Sequence, residues 1–227
     1  MRGAFVTGTD TGVGKSVLAA AICAALAERG ERVAAFKPAV TGLDEVPGEW
    51  GHDHELLAAA ASAGQSPDDV APYLFGPPLS PHLAAALAGE RIEPARLVAA
   101  ARGAGSTADA LVVEGVGGLM VPLTTGYLVR DLAVDLGLPL VIAARTGLGT
   151  INHTLLTVEA GRNAGLRVAG VVMTPWPEHP EAIELSNRET VERLAAVTVS
   201  MLPTVAPGEL ADHGAVLPVD AWTGRRT

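Results

Sequence analysis

Five side chains carry the chemistry that this sequence could perform: Lys15, Ser16, Lys37, Asp53 and Glu114. Lys15 and Ser16 close a glycine-marked stretch, Gly8-Thr9-Asp10-Thr11-Gly12-Val13-Gly14-Lys15-Ser16. Such a loop wraps backbone N–H groups around phosphate oxygens, and the helix that follows adds its positive N-terminal end. A lysine at this point reaches β- and γ-phosphates, and a serine hydroxyl at the next can ligate Mg²⁺. The spacing is one residue longer than a strict Walker A loop, which would need glycine where Thr9 stands. Two acids and a hydroxyl form an oxygen donor set for Mg²⁺. Two lysines beside a γ-phosphate can stabilise the charge that builds on a transferred phosphoryl group.

The elements around these residues explain how they would converge. Apolar Ala4-Phe5-Val6 reads as a strand before the loop, and Val17 to Ala27 as an alanine-rich helix after it. Val33–Phe36 is a second strand with Lys37 at its C-terminal end, where parallel α/β sheets present ligands. Residues 39–42 read as a turn, 43–52 as a loop, and Asp53 opens a helix through Ala63. Residues 64–81 are rich in Pro and Gly and read as irregular, with Ser80-Pro81 then starting a short helix. A further helix is expected from Glu93 to Ala101. Ala110–Val113 is a third strand ended by Glu114, and Gly115-Val116-Gly117-Gly118 follows as a glycine loop. An acid so placed is where Walker B-type ligands sit.

Helices are expected at 129–136, up to Ala164 and at 181–195, with strands at 138–144, 168–173 and 197–202. Beyond Pro203 the chain reads as turns. Gly147-Leu148-Gly149-Thr150-Ile151-Asn152-His153 marks a second helix N-terminus and so a second potential anion site. Strands alternating with helices, each strand a continuous apolar run, predict one α/β domain over residues 1–227. It is expected to be three-layered, of P-loop NTPase type, with a mainly parallel sheet covered by helices on both faces.

Composition narrows the partners. The chain has 227 residues, 48% hydrophobic but only 4% aromatic, so Ala, Val and Leu must build the core. A net charge of −9 argues against nucleic acid and anionic membranes as partners. The single cysteine, Cys23, lies within the first helix and cannot form a disulfide within the chain. No apolar run approaches the ~20 residues of a spanning helix, and a cytoplasmic location is expected. His52-Asp53-His54-Glu55 is a poor transition-metal cluster, because adjacent helical side chains diverge by about 100°. From residues alone the reading reaches Mg-ATP-dependent phosphoryl transfer to a small anionic substrate.

The chain resembles dethiobiotin synthetases over nearly its whole length. The resemblance rests on the extended loop from Val6 to Ser16, on Phe36-Lys37-Pro38 with Thr41-Gly42, and on Ser80-Pro81-His82. It continues in Val113-Glu114-Gly115-Val116-Gly117-Gly118 and Leu148-Gly149-Thr150-Ile151-Asn152-His153. It implies ATP-dependent closure of the ureido ring of dethiobiotin from 7,8-diaminononanoate and CO₂, through a carbamate and a carbamic–phosphoric anhydride.

It further implies that Lys15 and Lys37 hold the carbamate and γ-phosphate, that Thr11 and Thr41 contact substrate, and that Ser16, Asp53 and Glu114 ligate Mg²⁺. Gly12, Val13, Gly14 and Val17 would complete the nucleotide site with Gly115, Val116 and Gly117, and Gly118 would let backbone approach the substrate. A homodimer is implied, in which Leu148, Gly149, Thr150, Ile151 and Asn152 reach the partner's site to bind the substrate carboxylate. Thr174 and Pro175 stand where many members use asparagine to read adenine, so other nucleoside triphosphates stay open as co-substrates. Residues from Pro203 onward would lie by the base. Val116 replaces the usual alanine, without a reading.

Two rival classes share this pattern. Partition and cell-division ATPases carry a signature lysine where this chain has Asp10, and amide-forming ligases need a glutamine-hydrolysing domain for which 227 residues leave no room.

Overall fold

Strands whose residues are apolar on both faces must be covered on both faces, and the chain supplies helices for each side. The computed structural model of the protein describes residues 1–224, so the last three residues of the expected span 1–227 lie outside the described residues. The chain begins β1 (Gly3–Gly8), α1 (Lys15–Glu28), β2 (Val33–Phe36), β3 (Val40–Thr41), α2 (Asp53–Ala60), α3 (Pro67–Val70) and β4 (Leu74–Phe75). It continues with α4 (Pro81–Leu87), α5 (Pro94–Ser106), β5 (Ala110–Gly118), β6 (Pro122–Thr124), β7 (Tyr127–Leu128), α6 (Val129–Leu136) and β8 (Leu140–Ala144). Last come α7 (Thr150–Asn163), β9 (Val168–Trp176), α8 (Ala182–Ala195), β10 (Val199–Pro203), α9 (Leu210–Ala215) and α10 (Val219–Thr223).

Six strands form one sheet in the order β10-β9-β8-β1-β5-β2, and every pairing in it is parallel. β1 is interior, with Phe5 opposite Val113 on one side and Leu140 on the other. From β1 the chain runs to the edge strand β2, returns inward to β5, then crosses to β8 and winds outward to β10, so the C-terminal end of β1 lies at a topological switch point, where such sheets open a crevice. The glycine loop occupies that point. Val6, Val112, Val141 and Val172 face one apolar layer with Leu18, Ile22 and Leu26 of α1. Phe5, Val113 and Leu140 face the opposite layer with Leu97 and Leu132, and Ile142 and Met173 continue it against Val158 and Val191. The result is the expected three-layer α/β architecture.

Several local expectations are corrected. The strand carrying Glu114 does not stop there but runs to Gly118, since Gly115 packs its bare backbone against Phe5 and Val129, whose atoms lie 3.1 and 2.9 Å from where a Cβ would stand. α2 ends at Ala60 rather than Ala63, because Ser62 and Ala63 donate their N–H groups to the Val33 carbonyl instead. α5 runs past Ala101 to Ser106, through two glycines. Residues 39–42 and 64–81 are not wholly irregular: β3 and β4 pair as a small parallel sheet, and β6 and β7 form an unforeseen hairpin. β9 extends past Met173 to Trp176.

The stretch after Pro203 holds two helices rather than turns alone. α9 lies so close to α1 that a Cβ on Gly214 would stand 2.1 Å from the Ala21 carbonyl oxygen. Gly214→Ala is therefore expected to lower unfolding free energy by about 1–3 kcal/mol, read from urea midpoints; an unchanged midpoint would show that α9 can shift freely.

Candidate active site

The loop after β1 is shaped by its glycines. Gly12 and Gly14 take φ of +69° and +83°, a region that side chains disfavour, and Gly14 serves as N-cap of α1. Thr174, on β9, fills the space beside Gly14, its methyl 2.8 Å from where a Cβ would be. Inside the loop the Lys15 Nζ donates to the Asp10 carbonyl at 3.0 Å. Outside it, Arg145 donates to the Thr11 carbonyl at 3.1 Å and to Asp10 Oδ2 at 3.3 Å.

Three elements deliver the remaining charges to the same place. β2 ends at Phe36, and Lys37 is anchored there by its N–H bond to the Val70 carbonyl. β5 lies between β1 and β2 and brings Glu114 opposite Val6. α2 starts at Asp53 with His52 as N-cap, whose N–H is taken up by Glu55 at 2.9 Å, so the Asp53 carboxylate is not spent on capping. Lys37 Nζ lies 2.7 Å from Glu114 Oε1 and 2.8 Å from Asp53 Oδ2. The Ser16 hydroxyl lies 2.7 Å from Asp53 Oδ1 and 2.9 Å from Glu114 Oε1, donating its single proton to one at a time.

Burial sets the electrostatics. Glu114 is 0% exposed and Lys37 3%. Burial pushes the Glu114 carboxyl upward, and the ammonium of Lys37 is what keeps an anion tenable there. For Lys37 burial works against the charge, but Glu114 and Asp53 outweigh it and raise its pKa to about 12. The same contest goes the other way at Asp53, which Lys37 and Ser16 hold down at about 2 despite desolvation. Burial, with help from Lys37, lowers Lys15.

Glu114 Oε2 is buried without a hydrogen-bond partner. A buried carboxylate oxygen left unpaired is costly, and a hard cation bound by oxygens would satisfy it. Ser16, Asp53 and Glu114 thus fit a Mg²⁺ site in the chemistry of their donors. Among the described residues no three His, Cys, Asp or Glu side chains cluster as metal ligands. His54 is buried and His52 caps α2.

These residues face a cavity of about 460 Å³. It brings together the expected Thr11, Gly12, Lys15, Ser16, Lys37, Thr41, Asp53, Glu114, Val116 and Gly117. Val116 now has a place, as a wall of that cavity. Ser80 and Pro81 line it too, with Glu45, Pro78, Leu79 and Val121, which sequence reading missed. Glu45 lay hidden in a Pro/Gly loop that offers no periodicity. Arg145 was also missed, although it follows β8 as Lys37 follows β2.

Other expected residues stand apart from this cavity. Val13 is core, 1% exposed, and Val17 packs on the same core. Gly115 faces Phe5 and Val129, and Gly118 adjoins the Gly8 carbonyl. Leu148 (94% exposed), Gly149, Thr150, Ile151 and Asn152 form the start of α7, fixed by a 2.6 Å bond from the Thr150 hydroxyl to the Arg145 carbonyl. Asn187 braces the preceding loop by donating to the Thr146 and Gly147 carbonyls. Thr174, Pro175 and Pro203 gather at the ends of β9 and β10, where Pro203 pairs with Trp176. Trp176 rests on the α7–α8 side of the core.

Comparison with known proteins separates the rival classes. A family model described as AAA domain matches residues 2–206. The chain is 45% identical over 204 residues to the ATP-dependent dethiobiotin synthetase BioD of Anaeromyxobacter dehalogenans, covering 89% of this chain and 90% of that protein. To the protein of the same name from Bacillus subtilis subsp. natto it is 37% identical over 199 residues, 88% of this chain and 85% of the other. Solved structures that resemble it include a ParA family ATPase from Chlorobium tepidum, with a TM-score of 0.58, 13% identity, and 96% and 92% coverage. The Pyrococcus furiosus cell division ATPase MinD follows at TM-score 0.56, 15% identity, and 96% and 90% coverage. At such identities the likeness is one of fold alone.

The carboxylate–lysine cluster predicts a pH signature. Asp53 is held below its ordinary 3.8, so its contribution to stability is present above that value and lost as pH falls toward about 2. Lys37 is raised above 10.5, so its contribution is present below that value and lost as pH rises toward about 12. Asp53→Asn should be less stable than the parent near neutrality, and the gap should narrow between about pH 4 and 2. Urea midpoints across that range check it; a gap independent of pH would mean that Asp53 is not paired in solution.

Proposed function

The chain belongs to the ATP-dependent dethiobiotin synthetase family, ligases of biotin biosynthesis, and on that premise we propose that it converts 7,8-diaminononanoate, CO₂ and ATP into dethiobiotin, ADP and phosphate. The observation that carries the reading is Lys37, buried at the cavity wall with its Nζ 2.7 Å from Glu114 and 2.8 Å from Asp53, beside the loop that holds Lys15 and Ser16. One substrate amine adds to CO₂ and loses a proton to give a carbamate. The carbamate oxygen attacks the γ-phosphorus and displaces ADP, giving the carbamic–phosphoric anhydride. The second amine then attacks the carbonyl carbon, expels phosphate and closes the ring.

No covalent bond to the protein is needed, and catalysis comes from positioning and charge stabilisation. Lys15 and the backbone N–H groups from Gly12 to Val17 hold the phosphates. Lys37 holds the carbamate against the γ-phosphate, and Thr11 and Thr41 fix the substrate. Gly117 and Gly118 let backbone approach the ligands closely. Ser16, Asp53 and Glu114 would hold Mg²⁺, which when bound neutralises phosphate charge and orients the γ-phosphate.

The reading includes a single domain over 1–227, a cytoplasmic homodimer, and the α7 start, Leu148 to Asn152, serving the partner's site as receptor for the substrate carboxylate. The exposure of Leu148, Gly149 and Asn152 supports that role. Thr174, Pro175 and Pro203 lie on the base side. With no asparagine at 174 or 175, CTP and GTP are co-substrates to be compared with ATP.

Phosphate release from MgATP with bicarbonate, with and without the diamine, tests the reaction when dethiobiotin is followed by mass. Release that requires the diamine and equals product is expected; release indifferent to the diamine would point to a switch ATPase. Lys37→Ala should keep nucleotide binding, measured by calorimetry, while turnover falls by roughly 100-fold or more. Near-normal turnover in that variant removes Lys37 from the mechanism.

A further inference from the structure

The two amines sit on adjacent carbons, so charge on one opposes protonation of the other, and near neutrality the diamine carries at least one ammonium group, as an alkylamine of pKa ~10 does. In the cavity Lys15 and Lys37 are balanced by Asp53 and Glu114, so the cluster has no surplus anion to offer a cationic substrate. Asp53 and Glu114 are bonded to Lys37 and Ser16, and the one free oxygen of Glu114, Oε2, is buried within the Mg²⁺ donor set. One carboxylate on the cavity wall remains. Among the described residues Glu45 has neither a side-chain hydrogen bond nor an ion pair. It lines the main cavity and also the adjoining one of about 190 Å³, and so stands where the two meet.

Glu45 is placed by a stitched backbone rather than by a loose loop. Gly42, Leu43 and Asp44 donate to the carbonyls of Pro77, Phe75 and Gly76 at 3.1, 3.2 and 2.9 Å. The Glu45 N–H then turns back to the Gly42 carbonyl at 3.1 Å. Gly42 permits this turn with φ +88°, and Glu45 Oε2 folds over it, 3.4 Å from where a Cβ would be. That puts the carboxylate over Gly42, the residue that follows Thr41. The neighbouring acid is directed elsewhere, because Asp44 lies against Gly76, 2.4 Å from where its Cβ would stand. Of two consecutive acids, Asp44 packs over Gly76 and Glu45 lines the cavity.

We propose that Glu45 binds an ammonium group of the diamine and so sets specificity for a diamine over a monoamine at this site. The inference rests on the substrate reading above. The backbone that carries Glu45 is fixed before substrate arrives, which lowers the ordering cost of binding, and a charge-assisted hydrogen bond at a partly solvated position discriminates by roughly three- to tenfold.

The test compares 7,8-diaminononanoate with 7-aminononanoate and 8-aminononanoate, by calorimetric affinity without bicarbonate, in the parent and in Glu45→Gln. The parent should bind the diamine roughly three- to tenfold more tightly than one of the two monoamines. In Glu45→Gln that preference should collapse, with the KM for the diamine raised by the same factor. The KM for ATP and the thermal midpoint should stay unchanged, which a merely structural role would not reproduce. An unaltered diamine preference in Glu45→Gln overturns the proposal while the substrate reading stands. Absence of diamine-dependent turnover in the parent overturns the substrate reading, and this proposal with it.

Discussion

A carboxylate with no exposure to water must be balanced locally, and Glu114 is such a group. Its neutralisation by Lys37 links the strand at one edge of the sheet to the strand beside β1, and Ser16 ties both to the start of α1. The cluster works only if three separate segments end at the same height. A parallel sheet supplies that alignment, because every strand delivers its C-terminal end to the same side. Buried ion pairs are weak contributors to net stability once desolvation is counted. The cluster is better understood as stored polarity: oxygens and an ammonium kept in a low-dielectric wall, where charge forming on a phosphoryl group is felt strongly.

Much of this was legible in the sequence because it depends on short-range patterns. Val33–Phe36 is apolar without interruption and ends at a lysine, so the placement of Lys37 follows from strand logic alone. The same holds for Val6 before the glycine loop and for Val113 before Glu114. Asp53 was identifiable as the opening of a helix, but its pairing with Lys37 was not, since capping alone would have explained it. What resolves the matter is that Glu55 already satisfies the His52 N–H.

Where sequence reading failed, a long-range contact overrode a local preference. Gly115 to Gly118 look like a loop because glycine weakens strands, yet β5 is held between two partners and continues. The two C-terminal helices are five and six residues long, too short for periodicity to show. They exist because Trp222 is buried against Gly170 and Gly214 against Ala21. Glu45 and Arg145 are exposed charges with no motif around them, and only their neighbours in space give them meaning.

The contact between Gly14 and Thr174 has an evolutionary consequence. One residue belongs to the phosphate loop and the other to β9, yet they occupy a single steric compartment, since a Cβ at 14 would meet the Thr174 methyl at 2.8 Å. The two positions are therefore sterically coupled. Bulk added at 174 narrows the choices at 14, where the left-handed backbone already excludes almost everything else. A side chain at 14 would require a smaller residue at 174, whatever that strand end is asked to recognise.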